Sequence, residues 1–396
     1  MGYKFSDKLA SLRPSAIREI FKSLADPNVL SFAAGNPAAE SFPIDDIRRI
    51  SADILERTPI DALQYSQTEG YPPLRRAIVE RLRHRGIGGE GDEVIVTSGG
   101  NQGIELTAKV LCNEGDCVIC EDPSFIGALN AFRSNGVRTI GVPLEEDGMD
   151  ISALEAALWR EPRAKFIYII SNFQNPAGIT TSAEKRKKIY ELARRRDVLI
   201  LEDDPYGELR FAGEDLPTIK SLDTDGRVIY CSSFSKILSA GMRVGYLCAP
   251  APVIQKAVVA KQVEDVHTNI HFQMLCHRYM TECDIDSHIK NICAIYRHKS
   301  ELMLECLDKY LPASISHTRP EGGLFILCTL NDTADASKFV SKALERGVAV
   351  VPGSAFLCEA GGLSPSFRVN YSTPSDDDIR EGCRRLGMAA ADIGIC

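Results

Sequence analysis

The chain has 396 residues, with 46 Lys and Arg against 54 Asp and Glu, so its formal net charge at pH 7 is −8. This length excludes a peptide or mini-protein and predicts two or three domains with volume for a large core. The hydrophobic content of 44% and the charged content of 25% are those of an ordinary globular protein. Because the net charge is negative, we expect a small-molecule partner rather than a nucleic acid or a membrane surface.

The sequence indicates a cytoplasmic setting. It contains no run of about 20 apolar residues that would cross a bilayer. Its first ten residues lack the apolar core and cleavage site of a secretory signal, so we expect a cytoplasmic protein. Thirteen cysteines, an odd number scattered along the chain, are typical of reduced thiols rather than a disulfide framework.

The first 45 residues are too short to fold alone. They combine one short helical pattern at 16–24 with a Gly- and Pro-bearing loop at 33–37. We therefore expect an N-terminal arm that crosses to a neighbouring domain or subunit and forms part of a small domain.

Residues 46–310 are predicted to form a large α/β domain. Seven short apolar strands alternate there with helical patterns, which is typical of a mainly parallel sheet covered by helices on both faces. The clearest helix spans 182–196 behind a predicted capping box of Thr181 and Glu184. Ligands of such sheets bind at the carboxyl ends of the strands. The predicted strands are 93–97, 117–121, 137–142, 166–171, 198–202, 227–231 and 244–248.

Residues 311–396 are predicted to form a second, smaller domain of the α+β type. Strand patterns alternate there with helical ones, after a long amphipathic helix that ends near residue 308. The predicted strands are 323–330, 348–351 and 367–371, and the predicted helices are 334–346 and 376–388.

The most informative segment is Ser232-Ser-Phe-Ser-Lys236, which follows a predicted strand and precedes Arg243. The hydroxyl groups of Ser233 and Ser235 and the Arg243 guanidinium could bind a phosphate, and the Lys236 amine could bond to an aldehyde. The segment therefore suits a cofactor that carries both groups. Standing alone, it would be interpreted as a polar surface loop.

An acid and a tyrosine follow the strand predicted at 198–202. A buried Asp203 could keep a pyridine nitrogen protonated and so make the ring a better electron sink, while Tyr206 could donate to its phenolic oxygen. We expect Asp204 to be structural. In isolation, Asp-Asp-Pro is better explained as a turn at the end of a strand.

Two further segments end predicted strands. Asn175 could bond to the same phenolic oxygen or orient a substrate carboxylate, although Asn-Pro-x-Gly is also simply a good turn. The glycines of residues 97–102 would let backbone N–H groups close on an anion at a helix N-terminus. This segment matches neither the dinucleotide fingerprint nor the Walker motif. The main sequence evidence for a nicotinamide cofactor or a nucleoside triphosphate is therefore missing.

Taken in order, these segments resemble the pyridoxal 5′-phosphate (PLP) enzymes of fold type I, and specifically the class I/II aminotransferases. The most similar group contains the 2-aminoadipate, kynurenine and aromatic aminotransferases. The resemblance implies a homodimer with shared active sites. It also implies a ping-pong transfer of the amino group from an L-amino acid to a 2-oxo acid such as 2-oxoglutarate. The matching segments are 15–19, 31–35, 63–66, 69–70, 98–102, 172–178, 202–206, 233–243 and 367–368.

The resemblance also assigns roles around the cofactor. Lys236 is matched to the catalytic lysine that bonds to the cofactor and moves the proton, and Asp203 to the partner of the ring nitrogen. Tyr206 and Asn175 are matched to the phenolic oxygen, and Phe125 would stack on the ring where relatives usually have Tyr. The positions matched to the phosphate are Gly100, Asn101, Ser233, Ser235, Arg243 and, from the neighbouring subunit, Tyr65.

Besides Asn175, three residues are matched to the substrate. Arg368 corresponds to the arginine that pairs with the α-carboxylate, a task for which a bidentate guanidinium is suited. Arg18 corresponds to a mobile arginine that receives a distal carboxylate in some relatives, and an exposed helix arginine explains it nearly as well. Gly35 fits a close approach of the backbone to the substrate, or only a turn.

Several alternatives remain at this point. Cys117 with Cys120 and His267 with His271 have metal-like spacings but lack further ligands, so we expect no metal. The same fold occurs as the effector-binding half of bacterial transcription regulators, which carry a helix-turn-helix domain not seen here. A lyase or decarboxylase stays open because the residues do not reveal which substrate bond breaks. The donor stays open among 2-aminoadipate, kynurenine, aromatic and branched-chain amino acids.

Overall fold

A computed structural model describes residues 3–10, 12, 28–331 and 333–395. Its largest element is an eight-stranded sheet in which the four central pairings are parallel. Antiparallel pairings form both edges. The predicted α/β class is confirmed, and each of the seven predicted strands is present. In order across the sheet, the strands are Asp92–Thr97, Gly245–Pro250, Val228–Ser233, Leu199–Asp203, Ala164–Ile169, Cys117–Asp122, Arg138–Glu145 and Gly148–Met149.

Helices cover both faces of this sheet because its central strands are apolar on both sides. Val118 and Cys120 pack into one core cluster and Ile119 into another, since successive side chains of a strand point to opposite faces. The helices up to residue 310 are Asp7–Ala10, Ile44–Arg57, Pro59–Leu63, Pro72–His84, Gly100–Leu111, Ile126–Ser134, Ile151–Arg160, Ala183–Arg196, Ala251–Glu264, Ile270–Glu282 and Ile285–Tyr310, with 3-10 turns at Ala39–Ser41, Lys220–Leu222 and Ala240–Met242.

A smaller antiparallel sheet lies in the C-terminal part of the chain. The prediction of one strand at 348–351 is wrong, because Val348–Ala349 pairs with Leu30–Ser31 whereas Val351–Pro352 pairs with Ser366–Asn370. The chain changes partner at Val350, so each strand has only two residues. In order, this sheet contains Ile315–His317, Phe325–Leu330, Ser366–Asn370 and Val351–Pro352, accompanied by the helices Ser337–Glu345 and Asp376–Asp392 and the 3-10 turn Gly353–Phe356.

The described part of the N-terminal arm packs on this C-terminal region. Besides the strand pairing of Leu30–Ser31, the Asn370 amide donates to the Phe32 carbonyl at 2.8 Å. The Ser372 hydroxyl donates to the Asn36 carbonyl at 2.7 Å. The helix predicted at 16–24 lies outside the described residues, and the domain boundaries at residues 45 and 310 stay predictions.

The cap of the helix Ala183–Arg196 differs from the predicted one. Ser182, not Thr181, is the residue before the helix, and its hydroxyl accepts a hydrogen bond from the Lys185 amide. The predicted capping box of Thr181 and Glu184 is therefore wrong by one residue. Thr181 is buried, and a Cβ on Gly148 would lie 2.8 Å from its Cγ2, so it packs against that glycine instead.

Three further observations concern the described residues as a set. None of their helices is long and apolar enough to cross a membrane. Their twelve cysteines are all free thiols. They contain no group of three or more His, Cys, Asp or Glu side chains placed to hold a metal ion.

Gly245 lets the start of the helix Gly100–Leu111 rest on the sheet. It pairs with Thr97 on one side and with Ser233 on the other. A Cβ at this position would lie 2.7 Å from the amide nitrogen of Gly100 and 2.9 Å from the carbonyl oxygen of Ser232. Because these are backbone atoms, a side chain here would force the sheet and the helix apart.

We therefore expect Gly245→Ala to lower the free energy of unfolding by about 1–3 kcal/mol, the usual effect of overpacking. Thermal unfolding followed by circular dichroism measures the change. Gly241→Ala is the matched control, because its Cβ would meet only the Ser239 hydroxyl, at 3.8 Å. Equal melting temperatures for the two variants would contradict this account.

Candidate active site

The candidate site lies where the parallel strands of the large sheet end. Asp203 closes the strand Leu199–Asp203, and the turn that carries Lys236 leaves the adjacent strand Val228–Ser233. The loop that carries Asn175 follows the strand Ala164–Ile169. Arg368 comes from the smaller sheet and approaches the same loop. The structure therefore brings together four side chains that are far apart in the sequence.

Lys236 is the central amine of the site. Its Nζ donates a hydrogen bond to the Gly35 carbonyl at 2.7 Å, which joins the large sheet to the N-terminal arm. Burial lowers the pKa of Lys236 to about 8, and the positive charges of Arg368 and Arg243 act in the same direction. About a tenth of this amine is therefore neutral at pH 7, whereas less than about one part in a thousand of an ordinary lysine is neutral there.

Asp203 is a buried carboxylate with one side-chain donor beside it. The Tyr168 hydroxyl donates to its Oδ2 at 2.8 Å. Burial raises the pKa of Asp203 to about 7, against the lowering effect of this hydrogen bond. The neighbouring Asp204 is engaged elsewhere, since it accepts hydrogen bonds from Tyr230 at 2.7 Å and from Asn172 at 2.9 Å. Asp203 is thus the acid that keeps acceptor capacity at the end of the strand.

Arg368 is a buried guanidinium fixed on several sides. Its Nη1 donates to Asn175 Oδ1 and its Nη2 to the Ala33 carbonyl, both at 2.7 Å. Its Cζ lies 4.1 Å from the centre of the Phe325 ring. Its Nε is buried and has no partner among the described residues. Burial lowers the pKa of Arg368 to about 10, so the group stays charged at neutral pH.

Tyr206 lies against the same group of side chains. It is buried, its ring meets that of Phe325 edge-on at 6.0 Å, and burial raises its pKa. A hydrogen bond with Asn175 and the charge of Arg368 act in the opposite direction on that pKa. Tyr206 is therefore a neutral phenol whose hydroxyl lies within reach of Asn175.

Two serines and an arginine form a cradle for an anion. The Ser233 hydroxyl donates to Ser235 Oγ at 2.7 Å, and the Arg243 Nη1 donates to the same Ser235 oxygen at 3.3 Å. The helix Gly100–Leu111 begins beside them, so its free N–H groups and its dipole favour a negative charge. A Cβ on Gly99, which has a φ of +83°, would lie 2.1 Å from Arg243 Nη2. Only glycine leaves room for the guanidinium.

Phe125 and Asn101 meet at a second glycine. A Cβ on Gly127 would lie 2.4 Å from Phe125 Cζ and 2.9 Å from Asn101 Oδ1. Phe125 is the residue before the helix Ile126–Ser134 and is half-buried, while Asn101 is exposed. The geometry thus places an aromatic ring next to the first turn of the helix Gly100–Leu111.

One predicted site residue, Tyr65, stands apart from this group. Tyr65 is 80% exposed, and its ring packs edge-on against His267 at 5.8 Å. Arg18 lies outside the described residues. Gly35 does belong to the site through its carbonyl, and a Cβ there would lie 3.0 Å from Phe325 Cζ.

The sequence analysis did not identify the buried residues that support the side chains of the site. Tyr168 lies in an apolar strand, where nothing marks it as different from a core tyrosine. The buried Lys261 forms an ion pair with Asp265 at 2.8 Å, and Asp265 accepts a hydrogen bond from Ser98 at 2.6 Å. The i, i+4 spacing of Lys261 and Asp265 is a signal that could have found this pair.

The residues present fit PLP. The cofactor has an aldehyde, a ring nitrogen and a phosphate, and the site offers a partly neutral amine, a buried carboxylate and a cradle with a positive charge. The charged guanidinium of Arg368 lies in the same site.

Comparisons with known proteins agree with this chemistry. The chain matches the aminotransferase class I and II family over residues 27–386. It is 40% identical to the 2-aminoadipate transaminase of Thermus thermophilus over 97% of this chain and 96% of that protein. It is 38% identical to aromatic-amino-acid aminotransferase 1 of Thermococcus litoralis over 96% and 93% of the two chains.

A solved structure gives the same result at the level of the fold. The crystal structure of the α-aminoadipate aminotransferase LysN from Thermus thermophilus, complexed with N-(5′-phosphopyridoxyl)-L-leucine, is similar to this chain with a TM-score of 0.90. The identity is 39%, and the match covers 98% of this chain and 97% of that chain. The family match spans most of the sequence, and the site has the groups that the cofactor needs. The chain therefore belongs to the class I and II aminotransferase family, and it is a PLP-dependent aminotransferase.

Proposed function

We propose that this aminotransferase moves the amino group of 2-aminoadipate, an aromatic amino acid or a broad range of L-amino acids to 2-oxoglutarate. The observation that carries the proposal is the presence, in one site, of the Lys236 amine and the buried Arg368 guanidinium, whose charge acts on the pKa of Lys236. An amine that moves a proton and a guanidinium that binds a carboxylate are what an amino acid requires.

In this proposal each end of PLP has its own residues. Lys236 would bond to the aldehyde, Asp203 would pair with the ring nitrogen, and Phe125 would stack on the ring. When bound, PLP supplies a ring that delocalises the negative charge left at the substrate carbon after a proton departs. The phenolic oxygen is met by Tyr206 and Asn175, and the phosphate by Gly100, Asn101, Ser233, Ser235 and Arg243.

Lys236 is also the group that moves the proton. Once the substrate amine has displaced it from the aldehyde, its Nζ would have to be neutral to accept a proton from the substrate carbon, and it would then release that proton again. A pKa of about 8 suits both steps near neutral pH, and burial together with two neighbouring arginines produces it. The Gly35 carbonyl, 2.7 Å from Nζ, holds the amine in place between these steps.

The lowered pKa of Lys236 can be measured without cofactor. We expect reductive methylation of Lys236 in the cofactor-free protein to reach half its maximal rate near pH 8, because only the neutral amine reacts. Peptide mass spectrometry across a pH series gives the profile, and exposed lysines of the same digest are the reference. A Lys236 profile that coincides with theirs would show that burial does not act as proposed.

The proposed substrate contacts involve Arg368 and the residues beside it. Arg368 pairs with the α-carboxylate, with Asn175 and the backbone at Gly35 beside it. Arg18 is proposed to receive a distal carboxylate such as that of 2-aminoadipate. The donors are suggested by relatives that are named as 2-aminoadipate and aromatic-amino-acid aminotransferases.

A panel of donors with 2-oxoglutarate tests these contacts. We expect Arg368→Gln to lower kcat/KM for every amino acid by about two orders of magnitude, because a charge-assisted carboxylate contact is lost. Arg319→Gln is the control, since Arg319 is an exposed arginine paired with Asp308. Lys236→Ala should abolish transfer.

The same panel separates the remaining possibilities. Arg18→Ala should lower kcat/KM for 2-aminoadipate more than kcat/KM for leucine or phenylalanine. An equal loss for all three amino acids would contradict the proposed contact with a distal carboxylate. Release of ammonia without a 2-oxo acid would identify a lyase instead. Such a result would reject the proposed transfer while leaving the cofactor site intact.

We further propose that the enzyme is a homodimer in the cytoplasm. An apolar surface supports the dimer: Leu63 is 75% exposed and Val263 is 86% exposed, and the contact of Tyr65 with His267 joins their two segments. In a dimer, Tyr65 would be placed to reach the partner's phosphate site. Free thiols at all twelve described cysteines support a reducing compartment.

We expect Val263→Glu to convert the dimer to monomers, because a buried carboxylate at the interface would lack a partner. Sedimentation velocity at micromolar protein measures the mass. Leu363→Glu serves as the control, since Leu363 is also largely exposed but lies in the C-terminal region. A wild-type chain that sediments as a monomer would refute the dimer.

A further inference from the structure

The carboxylate of Asp203 is held from one neighbouring strand. Tyr168 lies on the strand Ala164–Ile169, next to the strand Leu199–Asp203, and none of its surface is exposed. Its hydroxyl donates to Asp203 Oδ2 at 2.8 Å. Among the side chains that the structure describes, Tyr168 is the hydrogen-bond donor to Asp203. The orientation of the carboxylate therefore depends on this one phenol.

We infer that Tyr168 is a positioning residue, which orients the Asp203 carboxylate and keeps it ionised toward the cofactor ring. The inference rests on the proposed contact between Asp203 and the ring nitrogen. Tyr168 acts only through Asp203. A phenol suits this task because it donates a hydrogen bond without bringing a charge into the core.

The groups that face Asp203 explain why a donor is needed. Burial raises the pKa of Asp203 to about 7 and the nearby Asp204 adds to the rise, while the hydrogen bond from Tyr168 lowers it. Cys231 is paired with Asp203 on the adjacent parallel strand. Burial raises the pKa of its thiol, so the thiol stays neutral. Tyr206 stays neutral for the same reason. Of these groups, Tyr168 alone favours the ionised form.

Glu121 is a further acid near Asp203. It lies on the strand Cys117–Asp122, beyond that of Tyr168, and is fully buried. Burial raises its pKa to about 8, and the charge of Asp203 adds to the rise. Because a like charge disfavours ionisation, Glu121 does not favour the ionised form of Asp203.

The chain offers a matched control for Tyr168. Tyr230 lies on the strand Val228–Ser233, on the other side of the strand that carries Asp203, and is equally buried. Its hydroxyl donates to a carboxylate at 2.7 Å, but that carboxylate is Asp204. Tyr168→Phe and Tyr230→Phe thus each remove a phenol-to-carboxylate hydrogen bond from the same sheet, and Tyr230→Phe also removes an acceptor of Arg85. Only the first removes it from Asp203.

The test uses pyridoxamine 5′-phosphate, which needs the ring contact but does not bond to Lys236. Fluorescence titration of the cofactor-free protein gives its Kd. We expect Tyr168→Phe to raise this Kd about tenfold or more, the usual effect of losing a hydrogen bond to a charged group. Tyr230→Phe should change it less than threefold. In the Asp203→Asn background, Tyr168→Phe should add less than threefold, because the charge that it supports is gone.

An infrared titration adds a measurement that would not change if Tyr168 only stabilised the fold. The carboxyl band of Asp203, assigned by difference with Asp203→Asn, should shift its midpoint above pH 7 in Tyr168→Phe. If that variant fails to fold, 3-fluorotyrosine placed at position 168 by suppression is nearly isosteric and a stronger donor. It should move the midpoint downward.

The outcomes separate two kinds of failure. An unchanged Kd and midpoint in Tyr168→Phe, or an equal loss in the Asp203→Asn background, would overturn the role of Tyr168. A wild-type protein that does not bind pyridoxamine 5′-phosphate would instead refute the proposed function. Binding that is indifferent to Asp203→Asn would refute the ring contact on which the inference rests.

Discussion

The parallel pairing of the strands Leu199–Asp203 and Val228–Ser233 is the constraint on which the site depends. Their register sets Asp203 beside Cys231, so the carboxylate and the turn with Lys236 leave the sheet at the same edge. An antiparallel pairing would send them to opposite ends of the sheet, since neighbouring strands would then run in opposite directions. Chemistry that needs an acid and an amine on one ligand is possible because both strands run the same way.

Four buried carboxylates lie near this edge, namely Glu121, Glu202, Asp203 and Asp204. Their hydrogen bonds give them different roles. Glu202 accepts from the Ser171 hydroxyl and from two backbone amides, which fixes the following segment to the sheet. Asp204 accepts from Tyr230, Asn172 and Arg85. Satisfied acids of this kind hold structure, whereas an acid with acceptor capacity left can meet a ligand. The same strand end therefore supplies both supporting acids and the one proposed to meet the cofactor.

The sequence was sufficient to predict the large sheet, because short apolar runs separated by helical patterns leave few other arrangements. It also placed Lys236, Asp203 and Asn175 at strand ends, which the structure brings together. It could not divide 348–351 into two strands, since strands of two residues have no periodicity to detect. The cap at Ser182 was missed because Thr181 beside it has the same hydroxyl chemistry.

Tyr168, which supports the site, could not be predicted from the sequence for a different reason. A tyrosine in an apolar strand is usually a core residue, so nothing in the local sequence distinguishes Tyr168 from Tyr230. What separates them is which carboxylate each one meets, and that is decided by the register between strands. Register depends on the whole sheet, whereas a motif depends only on its own residues.

Arg368 shows how the smaller sheet completes the site. Asn175 and the Ala33 carbonyl accept from its two terminal nitrogens, and the Phe325 ring lies beneath the guanidinium, so it cannot turn freely. The guanidinium is therefore fixed by contacts within the protein, so the proposed pairing with a substrate carboxylate would need little further ordering of this side chain when the ligand binds.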